Sequence, residues 1–428
     1  MIKEIMPCSH VNGAVYMPGS KSITHRVLFI SALGMGTSTL RDVLQSEDTF
    51  YTIEGLKKLG IEIWEEGKEL NIKGVNGRPN PPQERTEIYI GNSGTTARFM
   101  CSFAALAKKE VLITGNDRLK ERPMDDLLRA LVENGVDVYF LEKEWHLPVI
   151  IKGPLNGGLF LLPKAMSSQF VSSLLLVGPC VRHGMELIIK DPPYSKPYIR
   201  LTLEMMRIFE INYGASDDLR LFRIPPQPYR AKDLTVEGDA SSAAYFWAAA
   251  AATGGKMSVA NIFPESKQPD IEFLSVLKKM GCEVKRDFVG LTVTGRELKG
   301  IKVNMNDIPD QVPTLAVLAL FAYGKTIIHN VPHLRHKESD RLKAITNEIR
   351  KIGGNIEELD DGLIIDGNGG KNLHGAEIET YDDHRIAMSF AIAGLRVKGI
   401  RIKEAECVRK SFPEFWDTWE KACYGNKT

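Results

Sequence analysis

The stretch PGSKSITHR, Pro18 to Arg26, gathers a glycine, hydroxyls, a lysine and an arginine at the entrance to the apolar run Val27-Leu28-Phe29-Ile30. Groups of this kind bind anions, the cations by charge and the hydroxyls and helix-start N–H groups by hydrogen bonds. The stretch is not a Walker loop, which needs glycine directly before its lysine; here Ser20 intervenes. Lys21, Arg26, Arg98, Gln169, His384 and Arg385 all fall in the first turns of apolar, helix-length segments. A cation there opposes the helix dipole by a few tenths to ~1 kcal/mol. A recurrent penalty of that sort is explained by an anion that both the dipole and the cation hold.

Further basic clusters stand before other helical patterns: Lys120 and Arg122 in LKERPMDD, Arg335, Lys337 and Arg341 in LRHKESDRL, Arg409 and Lys410 in CVRKSFPEF. One such cluster is ordinarily a solvated face; several at matching positions point to a shared site for small, multiply anionic ligands. Asp310, Glu338 and Asp340 lie among these cations. A carboxylate so placed stays ionised and is positioned to take a proton from a bound hydroxyl. The bland readings are a helix cap for Asp310 and ion pairs for Glu338 and Asp340.

Six similar segments carry these residues: GSKSITHRVLFISAL, GNSGTTARFMCSFAALA, MSSQFVSSLLLVGP, EGDASSAAYFWAAAAA, IPDQVPTLAVLALFA and YDDHRIAMSFAIAGL. Their heads, Ser20, Asn92, Ser167, Asp239, Asp310 and Asp383, are separated by 72, 75, 72, 71 and 73 residues. N-capping suffices to explain the head types. Each apolar segment is followed by a β-like run and then an amphipathic helix pattern; MDDLLRALVENG, IEFLSVLKKMG and DRLKAITNEIRKIGG end in the glycine of a helix C-terminus. The spacing predicts α/β layers built from six repeated units. Helices apolar all round are buried on every side, so the six pack together beneath sheets, three units to a lobe. RIPPQPYRAKDLTVEGD, with three prolines, reads as the linker between lobes.

The remaining numbers narrow the class. Fifty-five basic and 54 acidic residues leave a net charge of +1, so no global field points to nucleic acid or membrane. The longest apolar runs fall short of the ~18 residues that span a bilayer. The N-terminus reads as neither signal nor transit peptide. Six scattered cysteines without metal spacing suit a reducing, cytoplasmic setting. No dinucleotide fingerprint, nucleophile elbow or zinc-protease motif is present. The expected chemistry uses no cofactor and no metal.

PGSKSITHR, GNSGTTAR, KERPM, SSQF, SKPY, EGDASSA, IPD, KESDRL, DDHR and KSFPEFW, in this order from about residue 10 to 420, closely resemble the 5-enolpyruvylshikimate-3-phosphate synthase family. The resemblance implies two lobes with the active site in the cleft between them. Lobe I would comprise residues 1–19 plus 237–428, and lobe II residues 20–236. It implies transfer of the enolpyruvyl group of phosphoenolpyruvate to the 5-hydroxyl of shikimate 3-phosphate, in a monomer without cofactor. Position by position, it implies that Lys21, Ser22, Arg26, Ser167, Ser168, Gln169, Ser195, Asp310 and Lys337 contact shikimate 3-phosphate. Lys21, Gly94, Arg122, Gln169, Arg341, Arg385 and Lys410 would contact phosphoenolpyruvate. Asp310 and Glu338 would move protons, with Lys21 assisting both substrates.

The chain departs from that pattern at His333, where some relatives have asparagine, and at Ser93, where others have alanine. His384 stands beside Arg385 and is assigned no proton-transfer step. The alternatives are the enolpyruvyl transferase acting on UDP-N-acetylglucosamine, RNA 3'-terminal phosphate cyclase, and a non-catalytic repeat scaffold. The first usually carries a cysteine where this chain has GNDRLKERPMDD. The second needs a nucleophilic histidine that has no evident place here. A scaffold gains nothing from cations at buried helix starts.

Overall fold

A computed structural model describes residues 1–263, 265–287 and 290–425. They form two compact units, Gly19–Val236 and Met1–Pro18 with Glu237–Thr428. The inner helices of the first unit are Lys21–Leu33, Gly94–Ala104 and Ser168–Val177. Those of the second are Ala240–Thr253, Val312–Ala319 and His384–Arg396. Every residue from Ile23 to Leu33 is buried, and so is every residue of Val312–Ala319. These helices have no polar stripe because none faces water, so tertiary packing rather than propensity sustains them.

Four of the six inner helices are crossovers of a parallel strand pair, and an antiparallel hairpin completes most of the sheets. Arg85–Tyr89 pairs parallel with Glu110–Thr114 across the helix Gly94–Ala104; Val149–Lys152 and Asp137–Phe140 then add antiparallel. Gly158–Leu162 with Met185–Ile189 repeats the plan, as does Lys302–Asn304 with Tyr323–His329. In the last repeat Lys3–Ile5 lies antiparallel on Ile400–Ile402, giving a three-stranded sheet. Outer helices cover the sheets. Asp125–Glu133, Phe273–Lys279 and Arg341–Lys351 each end two residues before a positive-φ glycine, Gly135, Gly281 and Gly353, as their patterns predict.

Two lead-in strands are exchanged relative to chain order. Asn12–Val15, just ahead of the helix Lys21–Leu33, pairs parallel with Lys256–Val259. Asp233–Thr235, just ahead of Ala240–Thr253, pairs parallel with Thr37–Arg41. RIPPQPYRAKDLTVEGD is therefore not a simple linker. Besides that strand it contains Tyr229, fully buried, whose hydroxyl donates to the Leu176 carbonyl at 2.9 Å. Backbone pairing and an aromatic anchor outweigh the proline content that suggested a loose connection.

No helix among the described residues is long and apolar enough to cross a membrane.

Candidate active site

In the unit Gly19–Val236 the inner-helix N-termini carry the predicted anion ligands. Arg26 is 3% exposed and is bonded inward to neutral acceptors. Its Nε donates to Thr202 Oγ1 at 2.8 Å, and its terminal nitrogens to the carbonyls of Ser22 and Tyr198 at 2.7 and 3.1 Å. Burial pulls its pKa down to about 10. Among the described residues no carboxylate lies within ion-pair distance of it, so its charge remains available to an anion. Lys21 pairs with Asp48 at 3.0 Å; that carboxylate is nearly buried and lies in the first turn of the outer helix Glu47–Lys58.

Gly94 opens its helix directly beneath two guanidiniums. A Cβ built on it would lie 2.5 Å from a terminal nitrogen of Arg98 and 2.6 Å from both of Arg122. Arg98 and Arg122 are themselves buried. Gln169 reaches across the helices, donating from Nε2 to Thr95 Oγ1 at 2.9 Å, and its backbone N–H is capped by Ser167 Oγ at 3.2 Å. Ser168 lies in the same first turn and is buried. Ser195 takes the left-handed conformation, φ 53°, at the start of Lys196–Ile208, the helix that supplies Thr202 and Tyr198 to Arg26. A hydrogen bond thus joins the helix starts that carry Gly94 and Ser167–Gln169.

The other unit gathers a different set. Asp310 receives Arg385 at 2.8 Å and Arg341 at 2.9 Å, and Lys337 stands 3.7 Å away. Arg341, 1% exposed, also donates to Glu338 at 2.7 Å and to Asp383 through Nε at 2.8 Å. Asp383 accepts in addition from Ser339 Oγ at 3.0 Å and from the Arg385 backbone N–H at 3.0 Å. Burial pushes the Asp310 carboxyl upward, but Arg385, Lys337 and Arg341 together outweigh that and hold it well below the usual carboxylate range. Burial, Lys337 and Arg341 depress His333 to about 3 against the opposing pull of Asp310, so the imidazole is neutral near neutrality. His384 and Lys410 are also buried, His384 beside Asp383 at 3.7 Å.

Several sequence expectations need correction. Capping does not account for all six heads: the side chains of Ser167, Asp239 and Asp383 cap, whereas that of Ser20 makes no cap bond. Asn92 gives way to Ser93 as the N-cap residue. Asp310 sits inside the short helix Pro309–Gln311 and spends its oxygens on guanidiniums, so the cap reading fails. Asp340 is the cap instead, accepting from the Lys343 N–H, and pairs with Arg335 away from Asp310. Lys120 is occupied by Glu142 near the surface. The buried guanidiniums Arg341 and Arg385 are matched by Asp310, Glu338 and Asp383 rather than left to an anion alone.

Residues that pattern alone did not single out are Asp48, Thr95, Thr202, Tyr245 and, in its clamping role, Asp383. Tyr245 receives a terminal Arg385 nitrogen at 3.3 Å. In sequence Asp48 is an acidic residue in a helix first turn, indistinguishable from a dipole partner.

Known proteins resemble this chain over almost its whole length. The family model described as EPSP synthase (3-phosphoshikimate 1-carboxyvinyltransferase) matches residues 5–419. A 3-phosphoshikimate 1-carboxyvinyltransferase of Syntrophobacter fumaroxidans is 41% identical over 424 residues, covering 98% of this chain and 99% of that protein. One of Buchnera aphidicola is 40% identical over 417 residues, covering 96% and 97%. The solved EPSP synthase of Acinetobacter baumannii superposes with a TM-score of 0.80 at 28% identity, covering 99% of this chain and 98% of that one.

Proposed function

The chain belongs to the EPSP synthase family, and we propose that its two residue clusters act on one bound pair of substrates. The reaction moves the enolpyruvyl group of phosphoenolpyruvate onto shikimate 3-phosphate, a step of aromatic amino acid biosynthesis. The acceptor oxygen is the 5-hydroxyl, and phosphate leaves by C–O cleavage from a tetrahedral adduct. Together the substrates bring two phosphates and two carboxylates, and these need cations held away from water.

In the proposed division, Ser167, Ser168, Gln169 and Ser195 take the shikimate phosphate, with Ser22, Arg26 and Lys337 on the rest of that substrate. Lys21 bridges both substrates. Gly94, Arg122, Arg341, Arg385 and Lys410, again with Gln169, take phosphoenolpyruvate; Gly94 leaves room for it under Arg122. The observation that carries the reading is Arg26, a buried guanidinium with only neutral partners among the described residues and a pKa lowered by burial. Such a group is expensive until an anion arrives.

Asp310 is the proton acceptor for the 5-hydroxyl. The three cations against it make it a weak base. When Arg341 and Arg385 turn to phosphoenolpyruvate they withdraw from Asp310, and its basicity rises when the hydroxyl must be deprotonated. Glu338, already 2.7 Å from Arg341, is the second acid and base, serving the methylene carbon. His333, held neutral, contributes at most a hydrogen bond. The same proposal makes the protein a cytoplasmic monomer that needs no cofactor.

Phosphate release should depend on both substrates and proceed without added metal. Release with UDP-N-acetylglucosamine in place of shikimate 3-phosphate would transfer the reading to the other enolpyruvyl transferase. No release with either acceptor would end it.

A further inference from the structure

Ser93 holds the N-cap position of the helix Gly94–Ala104, yet its side chain caps nothing. Its hydroxyl lies 2.7 Å from Thr96 Oγ1. Thr96 Oγ1 lies 2.7 Å from Thr52 Oγ1, and Thr52 Oγ1 lies 2.9 Å from His25 Nδ1. Both threonine hydroxyls also approach the Asp48 carbonyl, at 3.2 and 3.4 Å. All four side chains are at 0% exposure. Three hydroxyl protons are enough for the three short contacts whichever way the chain of bonds runs.

The elements this chain joins are the ones that present substrate contacts. His25 lies one turn along the helix from Lys21. Thr52 is on the helix whose first turn carries Asp48, the partner of Lys21. Ser93 immediately precedes Gly94, and Thr96 follows in the first turn. An apolar cluster of equal volume would pack as well, but it would not fix the spacing between Lys21 and the Gly94 turn; directional bonds do. We infer that Thr52 and Thr96 are positioning residues for the reaction, setting Lys21 and the Gly94 turn at the separation that phosphoenolpyruvate requires. Neither touches substrate, and the inference rests on the proposed roles of Lys21 and Gly94.

The test is steady-state kinetics on Thr96→Val, Thr96→Ser and, as a control, Lys21→Ala. Valine keeps the volume and removes the hydroxyl, while serine restores it. Thr96→Val should raise the KM for phosphoenolpyruvate about tenfold with kcat within about twofold, and Thr96→Ser should recover most of that loss. An unchanged KM in Thr96→Val, with Lys21→Ala impaired, overturns the inference and leaves the site reading intact. Equal loss in the valine and serine variants also overturns it, because packing would then be responsible. If Lys21→Ala behaves as wild type, the site reading itself has failed. Should Thr96→Val not fold, Thr52→Val is measured in the same way with the same expectation.

Discussion

Replacing Asp383 by asparagine probes the densest part of the site with almost no change of volume. The carboxylate is fully buried; Oδ2 accepts from Ser339 Oγ at 3.0 Å and from Arg341 Nε at 2.8 Å. Oδ1 accepts from Arg341 at 3.2 Å and from the Arg385 backbone at 3.0 Å. Asparagine keeps one oxygen, which the cap bond to Arg385 can use, but sets an amide NH2 against the Arg341 Nε–H, while the Ser339 hydroxyl can turn to accept from it. Arg341 also loses one of its three carboxylate partners while remaining 1% exposed. Breaking one side of a buried pair costs about 3–5 kcal/mol, and the retained oxygen favours the lower end. For a unit of this size, about 3 kcal/mol lowers Tm by about 6–12 °C. Arg341 positions both Asp310 and Glu338, so kcat/KM for phosphoenolpyruvate should fall at least about tenfold. Calorimetric melting and initial rates on the same preparation measure both. A single variant melting within about 2 °C of wild type with unchanged kinetics would refute the reasoning.

Two other perturbations read separate features. Asp126, 8% exposed on the outer helix Asp125–Glu133, is raised to about 6 by burial and by Asp125, against the pull of Lys164 and Arg129. A carboxyl raised in the folded state costs nothing below its unfolded pKa and destabilises progressively as pH rises to about 6. Asp126→Asn should therefore be neutral at about pH 3 and stabilise by on the order of 2 kcal/mol at about pH 8, read by denaturant unfolding at both pH values; the reverse order would refute the assignment. Gly94→Ala drives a methyl to 2.6 Å from Arg122, which must swing away. Because the clash is with flexible side-chain ends, melting should barely change while the KM for phosphoenolpyruvate rises about tenfold; an unchanged KM would remove Arg122 from that site.

Repetition made most of the fold legible. Equal spacing of six heads, all-apolar helices and glycine-terminated outer helices each follow from local rules, and the inner helices and the three glycine ends lie as those rules require. The exchange of the strands Asn12–Val15 and Asp233–Thr235 was not legible from spacing, because strand pairing is non-local and leaves the period intact. At the site, the cations stood out because a buried helix start is an unusual place for them. Their partners did not. Asp48 looked like a helix-start acid, Asp383 like a cap, and Asp310 like a cap until its oxygens were seen on Arg341 and Arg385. A carboxylate's partner is set by tertiary packing, and one sequence records only the residue type.

The most direct measurement is Asp310→Ala, with affinity and chemistry read apart. Removing this carboxylate leaves Arg341, Arg385 and Lys337 with less opposing charge. Calorimetry should find phosphoenolpyruvate bound at least as tightly in the presence of shikimate 3-phosphate, while single-turnover phosphate release slows by about 10²–10⁴-fold. Release at a rate close to wild type, or a loss of substrate affinity as large as the loss of rate, would contradict the assignment of Asp310 as the proton acceptor.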